Sequence, residues 1–186
     1  MERIESQAEA HAHDSRLSRR SAAVQAAFFL PYLRPGMRVL DVGCGPGTIT
    51  LGLAEAVAPG EVVGVDIVED RLHLARAAAE ERALANVRFE PGDIHHLPFR
   101  DGEFDAALVH GVLEHLPDPL AALGEVRRVL RPGAVVGIRS PEHSLAVMQL
   151  TIGASAFRGL PVQPVRRHES TAASDPRPTW ADIVNP

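Results

Sequence analysis

The chain has 186 residues, a formal charge of −5, 45% apolar residues and a single cysteine. This length suits one domain with or without a tail, and the apolar content excludes wholesale disorder. The single cysteine excludes a secreted scaffold held by internal disulfides and favours a reducing, cytoplasmic compartment, while the mild negative charge argues against a nucleic acid partner.

Residues 1–14 are polar, lack the apolar region of a signal peptide and are expected to form a flexible N-terminus. A helix is predicted next, from Ser15 to Leu33, because apolar residues recur there at helical spacing. Short apolar runs then alternate with helical patterns. Strands are predicted at 37–42, 61–66, 87–90, 104–109 and 134–139, and helices at 48–57, 69–84 and 119–130. No apolar run approaches the ~18 residues of a membrane span.

Strands that alternate with helices require crossover connections, so the pattern predicts an α/β fold with a doubly wound, mostly parallel sheet. The predicted strands are apolar without strict alternation, as expected when helices cover both faces of the sheet. A ligand of such a sheet binds beyond the carboxyl ends of the strands, at the topological switch point.

A glycine-rich loop follows the first predicted strand and leads into a helix, with the sequence Asp41-Val42-Gly43-Cys44-Gly45-Pro46-Gly47-Thr48. Glycine lets the backbone pass close to a ligand. A nicotinamide dinucleotide site requires a third glycine where Thr48 stands, and Asp41 would repel its pyrophosphate. S-adenosylmethionine carries a sulfonium, an ammonium and no phosphate, so it suits an acid at this place. A phosphate-binding P-loop is excluded because the chain contains no lysine.

Segment 39–139 resembles the class I S-adenosylmethionine-dependent methyltransferases, in particular the small-molecule group similar to the ubiquinone and menaquinone C-methyltransferases. The resemblance rests on the glycine loop and on later motifs in the right order. It implies a Rossmann-like sheet with strand order 3-2-1-4-5 and S-adenosyl-L-methionine as cofactor. It also implies that Asp41, Gly43, Gly45 and Gly47 contact this cofactor, although Gly47 could serve helix packing alone.

Further contacts are implied by the motifs that resemble the family after the loop. Asp66, at the end of the second strand, would accept the ribose hydroxyls, and Ile67 would pack on the adenine. Asp93 would accept the adenine amino group, with Ile94 as an apolar contact. His110, at the end of the fourth strand, would face the cofactor methyl. Ordinary roles stay open beside these, namely a solvated strand-end acid for Asp66 and a turn residue for Asp93.

Catalysis by methyl transfer needs mainly proximity and orientation, and a general base only if the acceptor must lose a proton. His110 is the first candidate for that base or for substrate contact, Glu114 is the second, and no base at all is a further possibility. Cys44 is interpreted as a small buried residue, and the spacing of the histidines predicts no metal site. The methyl acceptor is expected to be an unidentified small molecule.

Residues 140–186 contain nothing typical of the sixth and seventh strands that the family usually adds. We therefore expect a methyltransferase domain over 15–150, an irregular proline-rich tail over 151–186, and a truncated or frame-altered C-terminus. Strand 134–139 would then be an exposed edge, which a homodimer could cover. Two alternative functions remain open from the sequence. They are a cofactor-binding remnant or interaction module without transferase activity, and an NAD-dependent oxidoreductase.

Overall fold

A single sheet organises the computed structural model, which describes residues 20–139 and the backbone of strands 146–150 and 157–159. The strands are β1 (Val39–Val42), β2 (Val62–Asp66), β3 (Val87–Pro91), β4 (Phe104–His110), β5 (Leu130–Arg139), β6 (Ala146–Leu150) and β7 (Phe157–Gly159). The helices are α1 (Ala22–Gln25), α2 (Thr48–Val57), α3 (Glu69–Glu81) and α4 (Pro119–Val129), with short 3-10 turns at Leu30–Tyr32 and Leu113–His115.

The sheet has the order β3-β2-β1-β4-β5-β6-β7, and β1 to β5 run parallel. The predicted α/β class and the order 3-2-1-4-5 are confirmed. The order reverses at β1, because β2 lies on one side of it and β4 on the other. The topological switch point therefore lies beyond the carboxyl ends of β1 and β4.

The expectation that strands 6 and 7 are missing is wrong. β6 pairs antiparallel with β5, from Val135 opposite Gln149 to Ile138 opposite Ala146, and β7 pairs antiparallel with β6. The prediction found no strand pattern in 140–186 and an irregular proline-rich tail over 151–186, but the five prolines of that tail, at 161, 164, 176, 178 and 186, all lie beyond both strands. Proline blocks ladder pairing only where it stands.

Pairing with β6 also removes the premise for a homodimer through an exposed β5 edge. β7 lies inside the segment that was expected to be irregular. The predicted flexible segment 1–14 and the tail beyond 159 lie outside the described residues, so the domain boundaries at 15 and 150 stay predictions.

The helix predicted over 15–33 is shorter in its described part. α1 covers only Ala22–Gln25, and a 3-10 turn follows at Leu30–Tyr32. Pro31 has no N–H for the next helical hydrogen bond, so the chain cannot continue as an α-helix through it. Phe29 is fully buried here, and a Cβ added to Gly137 of β5 would lie 2.6 Å from its ring. This segment is therefore packed tightly against the sheet.

The core lies on both faces of the sheet. One cluster joins α4 and the 94–99 loop to β1, β4 and β5, and a second joins α1 and α2 to the opposite face. A third cluster packs α3 against Phe89 and Leu51. Within the described part of the chain, no helix has both the length and the apolar character needed to cross a membrane. Helices on both faces leave the carboxyl ends of the parallel strands as the open side of the domain.

Candidate functional site

A cavity of about 550 Å³ opens at the carboxyl ends of β1, β2 and β4, a volume in the range of small-molecule sites. Eight of the nine residues predicted to bind the cofactor line it. They are Asp41, Gly43, Gly45, Asp66, Ile67, Asp93, Ile94 and His110. Gly47 is the ninth, and it does not line the cavity.

The glycine loop approaches the opposite wall of the cavity very closely. Gly43 has a φ of 72°, and a Cβ added to it would lie 2.2 Å from Cγ2 of Val112. The N–H groups of Gly43 and Cys44 both donate to the carbonyl of Val65, at 2.8 and 2.9 Å. A side chain at position 43 would therefore either push the 111–116 loop away or tear the glycine loop from β2.

Gly47 serves helix packing. It precedes α2 in the left-handed conformation, with a φ of 76°. A Cβ at this position would lie 2.8 Å from that of Ala75 and 2.9 Å from the ring of Phe89. The sequence analysis gave helix packing as the alternative role of Gly47, and the geometry supports that role.

Asp66 ties the glycine loop to the end of β2. Its Oδ2 accepts a hydrogen bond from the N–H of Gly45 and its Oδ1 one from the N–H of Val68, both at 2.9 Å. Each carboxylate oxygen can accept a second hydrogen bond. Asp66 can therefore hold the loop and still accept two hydroxyl groups of a ligand.

Asp41 is a buried carboxyl group at the floor of the cavity, with 2% of its surface exposed. The pKa of this carboxyl group is raised to about 7. Burial is the largest cause and the charge of Asp66 acts in the same direction, whereas the hydrogen bond from Thr50 lowers the pKa. Oγ1 of Thr50 donates to Oδ2 of Asp41 at 2.6 Å. The sequence analysis missed Thr50, although its place in the first turn of α2, beside β1, could have indicated it.

Asp93 and Ile94 lie on the wall next to β3. Oδ1 of Asp93 accepts a hydrogen bond from the backbone N–H of His95 at 2.9 Å and lies 3.1 Å from Nδ1 of the same residue. These bonds, the backbone one first, lower the pKa of Asp93. Nε2 of His95 lies 3.2 Å from the carbonyl oxygen of Asp118, so His95 joins this wall to the start of α4. Ile94 is buried, whereas Ile67 is 75% exposed at the rim.

His110 ends β4 and lines the cavity there. It is 7% exposed, and neither ring nitrogen has a hydrogen-bond partner among residues 20–139. Burial lowers its pKa to about 4, and the nearby cations Arg20 and Arg139 lower it further. The sequence analysis did not single out either arginine. The parallel register, which places Arg139 opposite His110, is the signal that could have identified one of them.

Cys44 lies in the glycine loop and is buried. Burial raises the pKa of its thiol, and the charges of Asp41 and Asp66 raise it further, which makes the thiol a poor nucleophile. Among the described residues, no group of three or more His, Cys, Asp or Glu side chains is placed to hold a metal ion.

Comparison with known proteins identifies the family. A family model described as a methyltransferase domain matches residues 33–159 and so ends with β7. An uncharacterized methyltransferase of Schizosaccharomyces pombe is 43% identical over 117 residues, which are 60% of this chain and 42% of that protein. A demethylmenaquinone methyltransferase of Lactococcus lactis is 40% identical over 114 residues, 60% of this chain and 45% of its own length.

A solved structure supports the same assignment. The crystal structure of a SAM-dependent methyltransferase from Aquifex aeolicus matches with a TM-score of 0.60 and 26% identity, over 68% of this chain and 70% of that one. The chain spans less than half the length of the two curated relatives. The family match nevertheless covers the whole sheet and every residue that lines the cavity except Arg20, and the chain belongs to the methyltransferase domain family.

Proposed function

We propose that this chain binds S-adenosyl-L-methionine in the cavity and transfers its methyl group to a small molecule. The observation that carries the proposal is Asp41, a buried carboxyl group beside the glycine loop whose pKa is raised to about 7. Such a group favours a cationic ligand and disfavours a phosphate.

The residues present fit this cofactor. Asp66 has room for two more hydrogen bonds, which matches a ribose diol, and the positive φ of Gly43 and Gly45 lets the backbone come close to a ligand. Asp93 would accept from the adenine amino group, with Ile94 as an apolar contact, since both residues line the cavity. When bound, the cofactor supplies a methyl group on a positively charged sulfur with a neutral leaving group. The chain supplies orientation and a dry surface.

The two alternative functions are less well supported. A nicotinamide dinucleotide would place its pyrophosphate next to Asp41, and Thr48 replaces the third glycine of that fingerprint. A binding remnant without activity is less well supported, since the relatives reported above are all described as methyltransferases. A small-molecule acceptor agrees with the net charge of −5, which argues against nucleic acid. A cytoplasmic location stays a prediction from the single cysteine.

Calorimetric titration with S-adenosylhomocysteine and, separately, with NADH tests the proposal. We expect heat with the nucleoside and none with NADH. Asp66→Asn should weaken nucleoside binding at least tenfold, whereas the matched control Asp70→Asn, an exposed acid in the first turn of α3, should leave it unchanged. Binding of NADH alone would refute the proposal. Transfer of a labelled methyl group then separates the enzyme from a remnant.

A further inference from the structure

Three ionisable side chains, Arg20, His110 and Glu114, line the cavity around the end of β4, and Arg139 stands opposite His110 in the neighbouring strand. His110 ends β4, Glu114 lies in the following 3-10 turn, Arg139 ends β5, and Arg20 precedes α1. A Cβ added to Gly111 would lie 3.7 Å from Oε1 of Glu114 and 3.8 Å from Nη1 of Arg20. These two groups therefore face the same small space from different elements.

Two members of this group lack hydrogen-bond partners although their polar atoms are buried. Both ring nitrogens of His110 and both carboxylate oxygens of Glu114 are unpaired among the described residues. Buried polar atoms are almost always paired in folded proteins, so four unpaired atoms in one cavity indicate a polar ligand that completes them. Glu114 needs donors, and His110 can both donate and accept.

The environment of His110 indicates which of the two residues, His110 or Glu114, is the better proton acceptor. Burial first, and then the charges of Arg20 and Arg139, lower the pKa of His110 to about 4, so this imidazole binds a proton weakly and the first candidate base of the sequence analysis is disfavoured. Glu114 presents two carboxylate oxygens to the same space, and both lack a hydrogen-bond partner among the described residues. It is therefore the better proton acceptor, with His110 as a neutral hydrogen-bond partner.

The same cations select the kind of acceptor atom. An amine would develop positive charge as it attacked the methyl group, in a cavity that Arg20 lines and with Arg139 near His110. An ionising hydroxyl group would develop negative charge, which the guanidinium group of Arg20 stabilises. Aliphatic hydroxyl groups are too weakly acidic for a carboxylate base, whereas a phenol has a pKa of about 10. The electrostatics thus favour an acidic hydroxyl group.

We propose that this end of the cavity binds an acceptor with a phenolic or enolic hydroxyl group, and that Glu114 is the general base for its O-methylation. This inference rests on the proposed function. Glu114 takes the hydroxyl proton while the acceptor oxygen uses a lone pair to form the new bond to the methyl carbon. The electron pair of the broken carbon–sulfur bond stays on the donor sulfur. The products are a methyl ether, a neutral thioether and protonated Glu114, which then releases its proton to water.

The experiment measures transfer of a labelled methyl group to catechol and to acetylacetone, the enol probe, with 1,2-diaminobenzene as the matched amine. We expect methylation of oxygen in a hydroxyl probe and none of the diamine. Glu114→Gln should lower kcat about 100-fold, within the usual range for loss of a general base, and leave the Kd of S-adenosylhomocysteine within threefold. Glu114→Asp should recover part of the rate. Glu81→Gln, an exposed glutamate of α3, is the control and should change neither quantity.

Several results would overturn the inference while leaving the proposed function intact. They are methyl transfer to nitrogen or carbon in place of oxygen, a full rate in Glu114→Gln, or no product from either hydroxyl probe in a chain that binds S-adenosylhomocysteine. A tenfold loss of S-adenosylhomocysteine affinity in Glu114→Gln would assign Glu114 to the cofactor instead. Absence of S-adenosylhomocysteine binding to the unaltered chain would overturn the proposed function itself.

Discussion

Replacing Asp41 with asparagine should stabilise the ligand-free chain while weakening its binding site. The carboxyl group has a folded-state pKa of about 7 and a reference value of 3.8. Because the folded pKa is raised, the contribution of this group to stability is complete below pH 4 and is lost as pH rises through 7. The difference of about three pKa units corresponds to a loss of about 4 kcal/mol of folding stability at pH 8. Asparagine carries no charge and still presents an oxygen to Thr50.

Urea unfolding of the two ligand-free proteins at pH 5 and pH 8 measures this effect. At pH 5 the unaltered chain has lost only the part of its folding stability that corresponds to the rise from pH 3.8 to pH 5. The difference in unfolding free energy in favour of Asp41→Asn should therefore grow by about 3 kcal/mol between pH 5 and pH 8. Asp70→Asn, an exposed acid at the start of α3, should show no such growth. A constant difference, or a less stable Asp41→Asn protein at pH 8, would refute the assignment of Asp41 as a buried charge.

Three further predictions concern the same cavity. Binding of S-adenosylhomocysteine, whose ammonium prefers ionised Asp41, should weaken about tenfold from pH 8 to pH 6 in calorimetry, and Asp41→Asn should abolish that trend. Gly43→Ala should cost about 2 kcal/mol or more in urea unfolding, with partial recovery when Val112 also becomes alanine; full stability would contradict the close approach. His95→Ala removes the side-chain contact that orients Asp93 and leaves the backbone hydrogen bond, so it should reduce the preference for S-adenosylhomocysteine over its inosine analogue; an unchanged ratio would count against a role of His95.

The five parallel strands could be predicted because each is a short apolar run that stops at glycine, proline or a polar turn. The prediction is less accurate where one strand contains such a stop. β5 begins at Leu130, four residues before its predicted start, and passes through Pro132 and Gly133. Phe104 pairs with Leu130 and Ala106 with Val135, so residues 131–134 form an irregular bulge in β5 opposite a single residue of β4. Local stop signals do not reveal that a strand continues through such a bulge.

The site was predictable to the extent that it follows strand ends. Asp41, Asp66 and His110 stand at or near the carboxyl ends of β1, β2 and β4, and a parallel sheet brings those ends together. Arg20 belongs to a segment that joins the cavity only through packing of α1, and Thr50 matters only because α2 folds back over β1. No local sequence pattern indicates such contacts.

The placement of polar groups in the core argues that a ligand belongs to the native state of this domain. The buried polar and charged residues of the described chain are Asp41, Thr50, Asp66 and His110. Three of them line the cavity, and the fourth hydrogen-bonds to Asp41. Asp41 and His110 both have pKa values shifted against their charged forms, so folding without a ligand must accommodate groups that would be better solvated in water. A cationic group near Asp41 and a polar group near His110 would relieve both costs at once, which is what a positively charged methyl donor and a hydroxyl acceptor would supply.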